Sequence, residues 1–276
     1  MLASYSWGKA SPKPQECSQE RQYIKKTIES GIMKKSKRLK ITIGTPSATE
    51  WLHRRFAQSL MSLRFPEEAE IDFSQVFGVQ LPFARNHIVE DALEKKSDYL
   101  FFIDADMVFP PYTLMKLLSH EKKIVNALAF RRIQPHYPCI FEWNEKEKSY
   151  ETMAYTKGLL EVDATGMACM LINMDVFRKM ERPWYYYRDH IFSSDLTFCK
   201  NAKKLGYKIL VDTDLKIKHI GAHKLIDENY YLHHLSPEAK KKWNEGMRKS
   251  IKELAKDKEL YKKIKSNVES PGGNSD

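Results

Sequence analysis

The feature that most constrains this chain of 276 residues is a short apolar run, Tyr99–Ile103, that ends in Asp104-Ala105-Asp106. Five consecutive apolar residues without polar alternation are strand-sized and read as a strand buried on both faces. Such a strand needs both faces of its sheet covered, and the surrounding pattern decides by what. That pattern begins upstream. Lys40–Gly44 is a β-branched run that ends in a Gly44-Thr45-Pro46-Ser47 turn. Glu50–Leu63 spaces Trp51, Leu52, Phe56, Leu60 and Leu63 as a helix does, with Ser47 or Thr49 as its expected cap. Ile71–Phe77 alternates like a strand, and Ala84–Lys95 puts Ile88, Val89, Ala92 and Leu93 on one helical face. After the Asp pair, Pro110-Pro111 opens a helix to Leu118 and Lys123–Ala129 is the next strand. Strand and helix therefore alternate as in a mostly parallel sheet.

Beyond Arg131 the pattern shifts. Cys139–Trp143 and Tyr150–Tyr155 read as strands around a polar turn, Asn144–Lys148, and Glu161–Asn173 as a strand pair or one extended strand. Asp175–Met180 is a short helix. An aromatic loop, Pro183–Tyr187, leads to a helix over Asp195–Leu205 that Gly206 closes, and Lys208–Asp212 is the last strand. Ser236-Pro237-Glu238 is an N-cap followed by proline, and opens a lysine-rich helix towards Lys265.

Charge divides the chain into a balanced body, two basic flanks and a short acidic tail. The net charge is +10, yet residues 1–38 and 237–265 each carry +6, the last eleven residues carry −2, and residues 39–236 are balanced. A neutral body with basic flanks argues against a nucleic-acid-binding module, whose body would itself be basic, and no zinc-finger or RNP signature is present. The flanks read either as solvated helix faces or as handles for a polyanion, nucleic acid or an anionic membrane surface. Cys17, Cys139, Cys169 and Cys199 form no CxxC pair; Cys169 and Cys199 lie in apolar patterns and read as core residues. With no transmembrane-length apolar window and no secretory leader, the expectation is a soluble, cytoplasmic protein, or one peripheral to a membrane or phage-encoded in a host cytoplasm.

Asp104 and Asp106 stand where ligands gather in open α/β sheets, at the carboxyl end of a strand. Two carboxylates one residue apart suit a hard divalent cation, Mn²⁺ or Mg²⁺, that keeps waters and shares a diphosphate. The stretch Ala84–Pro111 (ARNHIVEDALEKKSDYLFFIDADMVFPP) resembles the GT-A glycosyltransferases, especially the family-2-like group. The resemblance extends through Asp163–Ile172 (DATGMACMLI), Ser193–Val211 (SSDLTFCKNAKKLGYKILV) and His219-Ile220-Gly221, three motifs in order between about Lys40 and Gly221.

The resemblance implies a GT-A fold, Rossmann-like, with a mixed, mostly parallel sheet flanked by helices and basic helical extensions at both ends. The expected division is 1–38, 39–223 and 224–276. It implies a metal-dependent transferase using a UDP- or GDP-sugar, with a glycan, a small molecule or modified DNA as acceptor. Asp104, Asp106 and His219 would hold the metal, Asp104 alternatively the ribose. Thr45, Pro46, Arg85 and Asn86 would meet the nucleotide, and Asp163, Gly166 and Trp184 the sugar or acceptor. Asp195 would be the base of an inverting transfer, although Ser194 replaces the glutamate common before it.

Plainer readings stand beside these. Arg85 also suits pairing with Glu90 or Asp91, Asp195 suits a helix N-cap, and His219 suits a surface histidine near His223. Gly166 suits a bulge, and one or two of the loop aromatics a core plug. A nucleotidyltransferase of similar form is the rival enzyme, but the Gly44–Ser47 turn lacks the basic residues that hold a triphosphate.

Overall fold

The computed structural model describes residues 38–188, 193–221 and 225–254. In chain order the first half contains β1 (Lys40–Ser47), α1 (Arg54–Ser62), β2 (Glu70–Phe77), α2 (Leu81–Glu94) and β3 (Tyr99–Ile103). Then come β4 (Met107–Val108), α3 (Thr113–Leu118), β5 (Ile124–Leu128), β6 (Ile140–Asn144) and β7 (Ser149–Thr152). The second half adds β8 (Leu159–Val162), β9 (Ala164–Thr165), β10 (Cys169–Asn173), α4 (Asp175–Lys179) and α5 (Ser194–Lys204). It ends with β11 (Ile209–Lys216), β12 (Lys218–Ile220), β13 (Leu225–Ile226), α6 (Glu228–His234) and α7 (Pro237–Leu254).

Seven strands form one mixed, Rossmann-like sheet in the order β2-β1-β3-β10-β5-β11-β8. β1 is parallel to β2 and β3, and β11 is parallel to β5. β10 runs antiparallel between β3 and β5, so five strands share one direction and β10 and β8 oppose it. The apolar run of β3 explains its central place. Leu100 and Phe102 face one core layer with α2, α4 and α5, while Phe101 and Ile103 face the other with α1 and α3. Helix α2 lies so close to β1 that a Cβ on Gly44 would come within 2.4 Å of Ile88 Cγ2.

Several boundaries differ from the sequence reading for physical reasons. Helix α1 starts at Arg54, not Glu50, with His53 as its cap: the imidazole Nδ1 accepts from Arg55 N at 3.2 Å. Ser47 and Thr49 instead bond within their own loop, where Thr49 N donates to Ser47 Oγ at 3.3 Å and Thr49 Oγ1 to Trp51 O at 3.2 Å. Trp51 and Leu52 therefore precede the helix. Helix α2 begins at Leu81, with Pro82 in its first turn, so Arg85 and Asn86 lie inside it and its free N-terminal amides are earlier. Ser193 caps α5, its Oγ accepting from Leu196 N, which leaves Asp195 out of the capping role. Gly206, at φ 83°, supplies the left-handed turn that ends α5.

The segment expected to be a separate extension from residue 224 contributes to the body: β13 pairs with β12, and Ile226, Tyr231 and Leu235 are buried in the larger core cluster. Ala239 of α7 packs on the same cluster. The basic stretch 1–37, Cys17, His223 and the lysine-rich stretch from 255 onward lie outside the described residues. Cys169 and Cys199 are fully buried, as their apolar settings predict, and burial holds the Cys199 thiol at about 12. Among the described residues, no helix is long and apolar enough to cross a membrane.

Candidate functional site

The site is assembled where β3 ends. Asp104 N donates to Ala168 O, just before the neighbouring strand β10, at 3.1 Å, and Met107 N turns back to Asp104 O at 3.1 Å. That tight turn presents both Asp104 and Asp106 beyond the carboxyl end of the central strand β3. β4 then pairs antiparallel with β12 in a small second sheet, and the register sets His219 opposite Met107. Ile220 N also donates to Asp106 O at 2.8 Å. Two backbone ties thus bring a histidine 113 residues further along the chain to Asp106, with Nε2 2.9 Å from Oδ2.

His219 is oriented from behind. Its Nδ1 lies 2.9 Å from Phe130 O, a carbonyl that can only accept, so Nδ1 carries the proton and Nε2 faces the carboxylate. Burial alone would lower the imidazole's pKa, but the Asp106 hydrogen bond and charge raise it above the usual value. For Asp106, burial pushes upward, yet the His219 bond and charge, with Arg132, hold the carboxyl below its usual range. Asp104 moves the other way: burial raises its pKa against the opposing Arg85, and the nearby Asp106 charge adds to the rise.

Asp104, Asp106 and His219 open into a cleft of about 570 Å³ that also involves Pro46, Trp51 and Arg132. Pro46 reaches it from the end of β1, while Thr45 is buried within that strand. Trp51 is 78% exposed at its wall. Among the described residues, no group of three or more His, Cys, Asp or Glu side chains is placed to hold a metal ion as it stands.

Arg85 is completely buried, with 0% exposure, behind the Asp pair. Its guanidinium reaches Asp104 Oδ1 at 3.3 Å and hydrogen-bonds Asp195 Oδ1 closely. It pairs with neither Glu90 nor Asp91: Asp91 accepts from Ser74 Oγ at 2.6 Å, and Glu90 meets Arg182 at 3.4 Å. The other Asp195 oxygen accepts from Met167 N at 3.2 Å, just after Gly166. Asp195 thus stands one buried arginine away from Asp104, its carboxylate fixed from two sides. Asn126 holds the Gly166 carbonyl at 2.6 Å.

Several expected ligand contacts are used otherwise: Arg85, with no exposed surface, is held by Asp104 and Asp195 and is not presented to a nucleotide, and Thr45 is buried in β1. Trp184 is 2% exposed and its indole Nε1 donates to Phe177 O at 3.0 Å, so it is a core plug and offers no face to an acceptor. Tyr185 is buried with it, stacked on Phe198 at 5.0 Å. Asn86 latches this loop, its Nδ2 donating to Tyr185 O at 2.8 Å and its Oδ1 accepting from Trp184 N and Tyr185 N at 3.1 Å. It does not face the cleft. Asp163 accepts from Trp143 N at 2.8 Å and pairs with Lys203, tying the β6–β7 hairpin to α5.

Trp51 and Arg132 line the cleft without a role in the sequence reading. Trp51 fits a helical stripe. Arg132 carried only a faint signal, two arginines directly after the strand that ends near the site.

No family model matches the chain, and no curated protein sequence matches it. Among solved structures, A197 from STIV is 15% identical with a TM-score of 0.52, covering 70% of this chain and 91% of that one. That likeness shows the fold alone. Two structures of UDP-glucose pyrophosphorylase, apo and with UDP-glucose, are each 11% identical. The apo structure has a TM-score of 0.37 and covers 78% of this chain and 84% of that one. For the complex the score is 0.35, with 84% and 87% covered. Scores this low carry no argument about this chain.

Proposed function

We propose that the chain is a divalent-cation-dependent glycosyltransferase of the GT-A kind, moving a sugar from a UDP- or GDP-sugar to an acceptor hydroxyl. The observation that carries the reading is the convergence of Asp104, Asp106 and His219 in one cleft beside an exposed indole. By donor type these residues suit Mn²⁺ or Mg²⁺, two carboxylates and an imidazole whose Nδ1 is already tied back, and the side chains would have to regroup around the ion. An open set of this sort suits an ion that keeps waters and takes its remaining ligands from phosphate. When bound, the cation would neutralise the donor diphosphate and the charge that develops on the leaving group.

The chain's own residues would do the rest. Pro46 and Trp51 supply an apolar wall on which a nucleobase stacks. Asp195 takes the proton from the acceptor hydroxyl as its oxygen bonds to the sugar C1 and the C1–O bond to the diphosphate breaks. The bonding pair leaves with the nucleoside diphosphate, and attack from the far side inverts C1. Arg85 and Met167 N–H hold the carboxylate in place for that step. Nucleotidyl transfer is less well served. The Gly44-Thr45-Pro46-Ser47 stretch carries no lysine or arginine to hold a triphosphate.

Thermal shift with UDP- and GDP-sugars, with and without Mn²⁺, tests the reading directly. One donor should raise Tm only when the cation is present, because ligands that bind the native state stabilise it by mass action. Asp106→Ala should fold and lose that shift. A donor-independent Tm in the wild type would sink the proposal.

A further inference from the structure

Asp106 Oδ2 has two partners. His219 Nε2 lies at 2.9 Å, and Arg132 Nη1 at 3.0 Å on the same oxygen. The arrangement therefore sets a guanidinium on the carboxylate oxygen that a divalent cation would otherwise take.

The two ion pairs are built differently. The root of the Arg132 loop is fixed: Phe130 O anchors His219, Arg131 N donates to Tyr137 O at 2.9 Å, and His136 N to Ile133 O at 2.9 Å. The Arg132 side chain itself is 59% exposed and holds Asp106 through a single nitrogen. A one-point, solvent-facing contact exchanges readily, and the guanidinium fork is better matched to phosphate oxygens than to this one carboxylate oxygen. Arg132 also borders the same cleft as Asp104 and Trp51.

We propose that Arg132 is a diphosphate-binding residue held in reserve on Asp106. Without cation and nucleotide, its guanidinium caps the carboxylate oxygen at the cleft. When both are present, it moves onto the phosphates of the donor, where its charge stabilises the departing nucleoside diphosphate. The inference rests on the glycosyl-transfer reading of the cleft.

Two titrations of the full-length protein test it: Mn²⁺ alone, followed by electron paramagnetic resonance, and UDP or GDP in saturating Mn²⁺, followed by calorimetry. Arg132→Ala should bind Mn²⁺ alone about threefold more tightly, since a competing positive charge is gone. The same variant should bind the nucleoside diphosphate about tenfold more weakly, since a charge-assisted contact is lost. Arg132→Lys, which keeps the charge but not the fork, should fall between. Lys122→Ala, an exposed cation before β5, controls for net charge and should match wild type. If Arg132→Ala shows neither effect, or only one, while the wild type binds both ligands, Arg132 is a surface ion pair and the inference alone falls. If the wild type binds neither Mn²⁺ nor a nucleoside diphosphate, the glycosyl-transfer reading falls and takes the inference with it.

Discussion

Arg85 is a cation with no exposed surface whose Nε finds no hydrogen-bond partner among the described residues, held between Asp104 and Asp195. Burying a guanidinium is costly unless carboxylates surround it, so each of the three charges depends on the other two. Arg85→Met should destabilise the fold by about 3–5 kcal/mol, read from urea unfolding, because both carboxylates lose their compensating charge. Adding Asp195→Asn should recover part of that loss. Asp195→Asn alone removes the proposed base; it should keep donor and Mn²⁺ binding and lower transfer by about 10²–10⁴-fold in a turnover assay. Trp51 behaves oppositely. Its exposed indole stabilises nothing in the free protein, so Trp51→Ala should leave Tm unchanged while nucleotide affinity weakens by about 1–3 kcal/mol in calorimetry.

At the scale of elements, β1 and α2 set how closely the cleft wall approaches the sheet. Gly44→Ala would place a methyl against Ile88 Cγ2, which sits on a rigid branched carbon in a full core. Overpacking of this sort costs about 1–3 kcal/mol, and Ile88→Val combined with it should restore part of the melting temperature. A second element junction is ionic. Asp212, buried in β11, accepts from His120 Nε2 at 2.7 Å and Lys116 Nζ at 3.2 Å at the end of α3, and from Asp214 N and Leu215 N at the irregularity in β11. Burial alone would raise its pKa, but these partners hold the carboxyl below its usual value. A carboxyl depressed in the folded state contributes stability above its unfolded pKa of about 3.9 and loses it as pH falls through the folded value. Acid unfolding below about pH 4 should therefore be shallower in Asp212→Asn, whose stability at neutral pH is already lower; equal slopes by circular dichroism would remove Asp212 from the account.

At the scale of the molecule, the balanced charge of residues 39–236 separates the candidate reaction from whatever the flanks do. If they hold a polyanionic acceptor, DNA affinity of the whole protein falls steeply with salt, by about 0.9 log units per log unit of salt for each phosphate contacted. Replacing Lys256, Lys258, Lys262 and Lys263 by Gln should flatten that slope in fluorescence anisotropy and leave donor binding untouched. A salt-independent response in the unaltered protein would assign the acceptor to neutral glycans instead.

What the sequence determined by itself is local. An unbroken apolar pentapeptide between turn signals reads as a strand covered on both faces, a carboxylate pair after it falls at the carboxyl end of that strand, and Gly206 reads as the stop of α5. Each follows from backbone geometry and burial within a few residues. The tertiary structure decided what depends on register and on distant partners. Asp195 meets a guanidinium 110 residues earlier in the chain, and His219 reaches Asp106 only because β12 pairs with β4. Trp184 and Trp51 exchange their expected settings for the same reason. Either indole suits a core or a ligand, and only the packing of Phe177 and Phe198 around the aromatic loop buries the first, while the self-bonded 47–51 loop leaves the second in solvent.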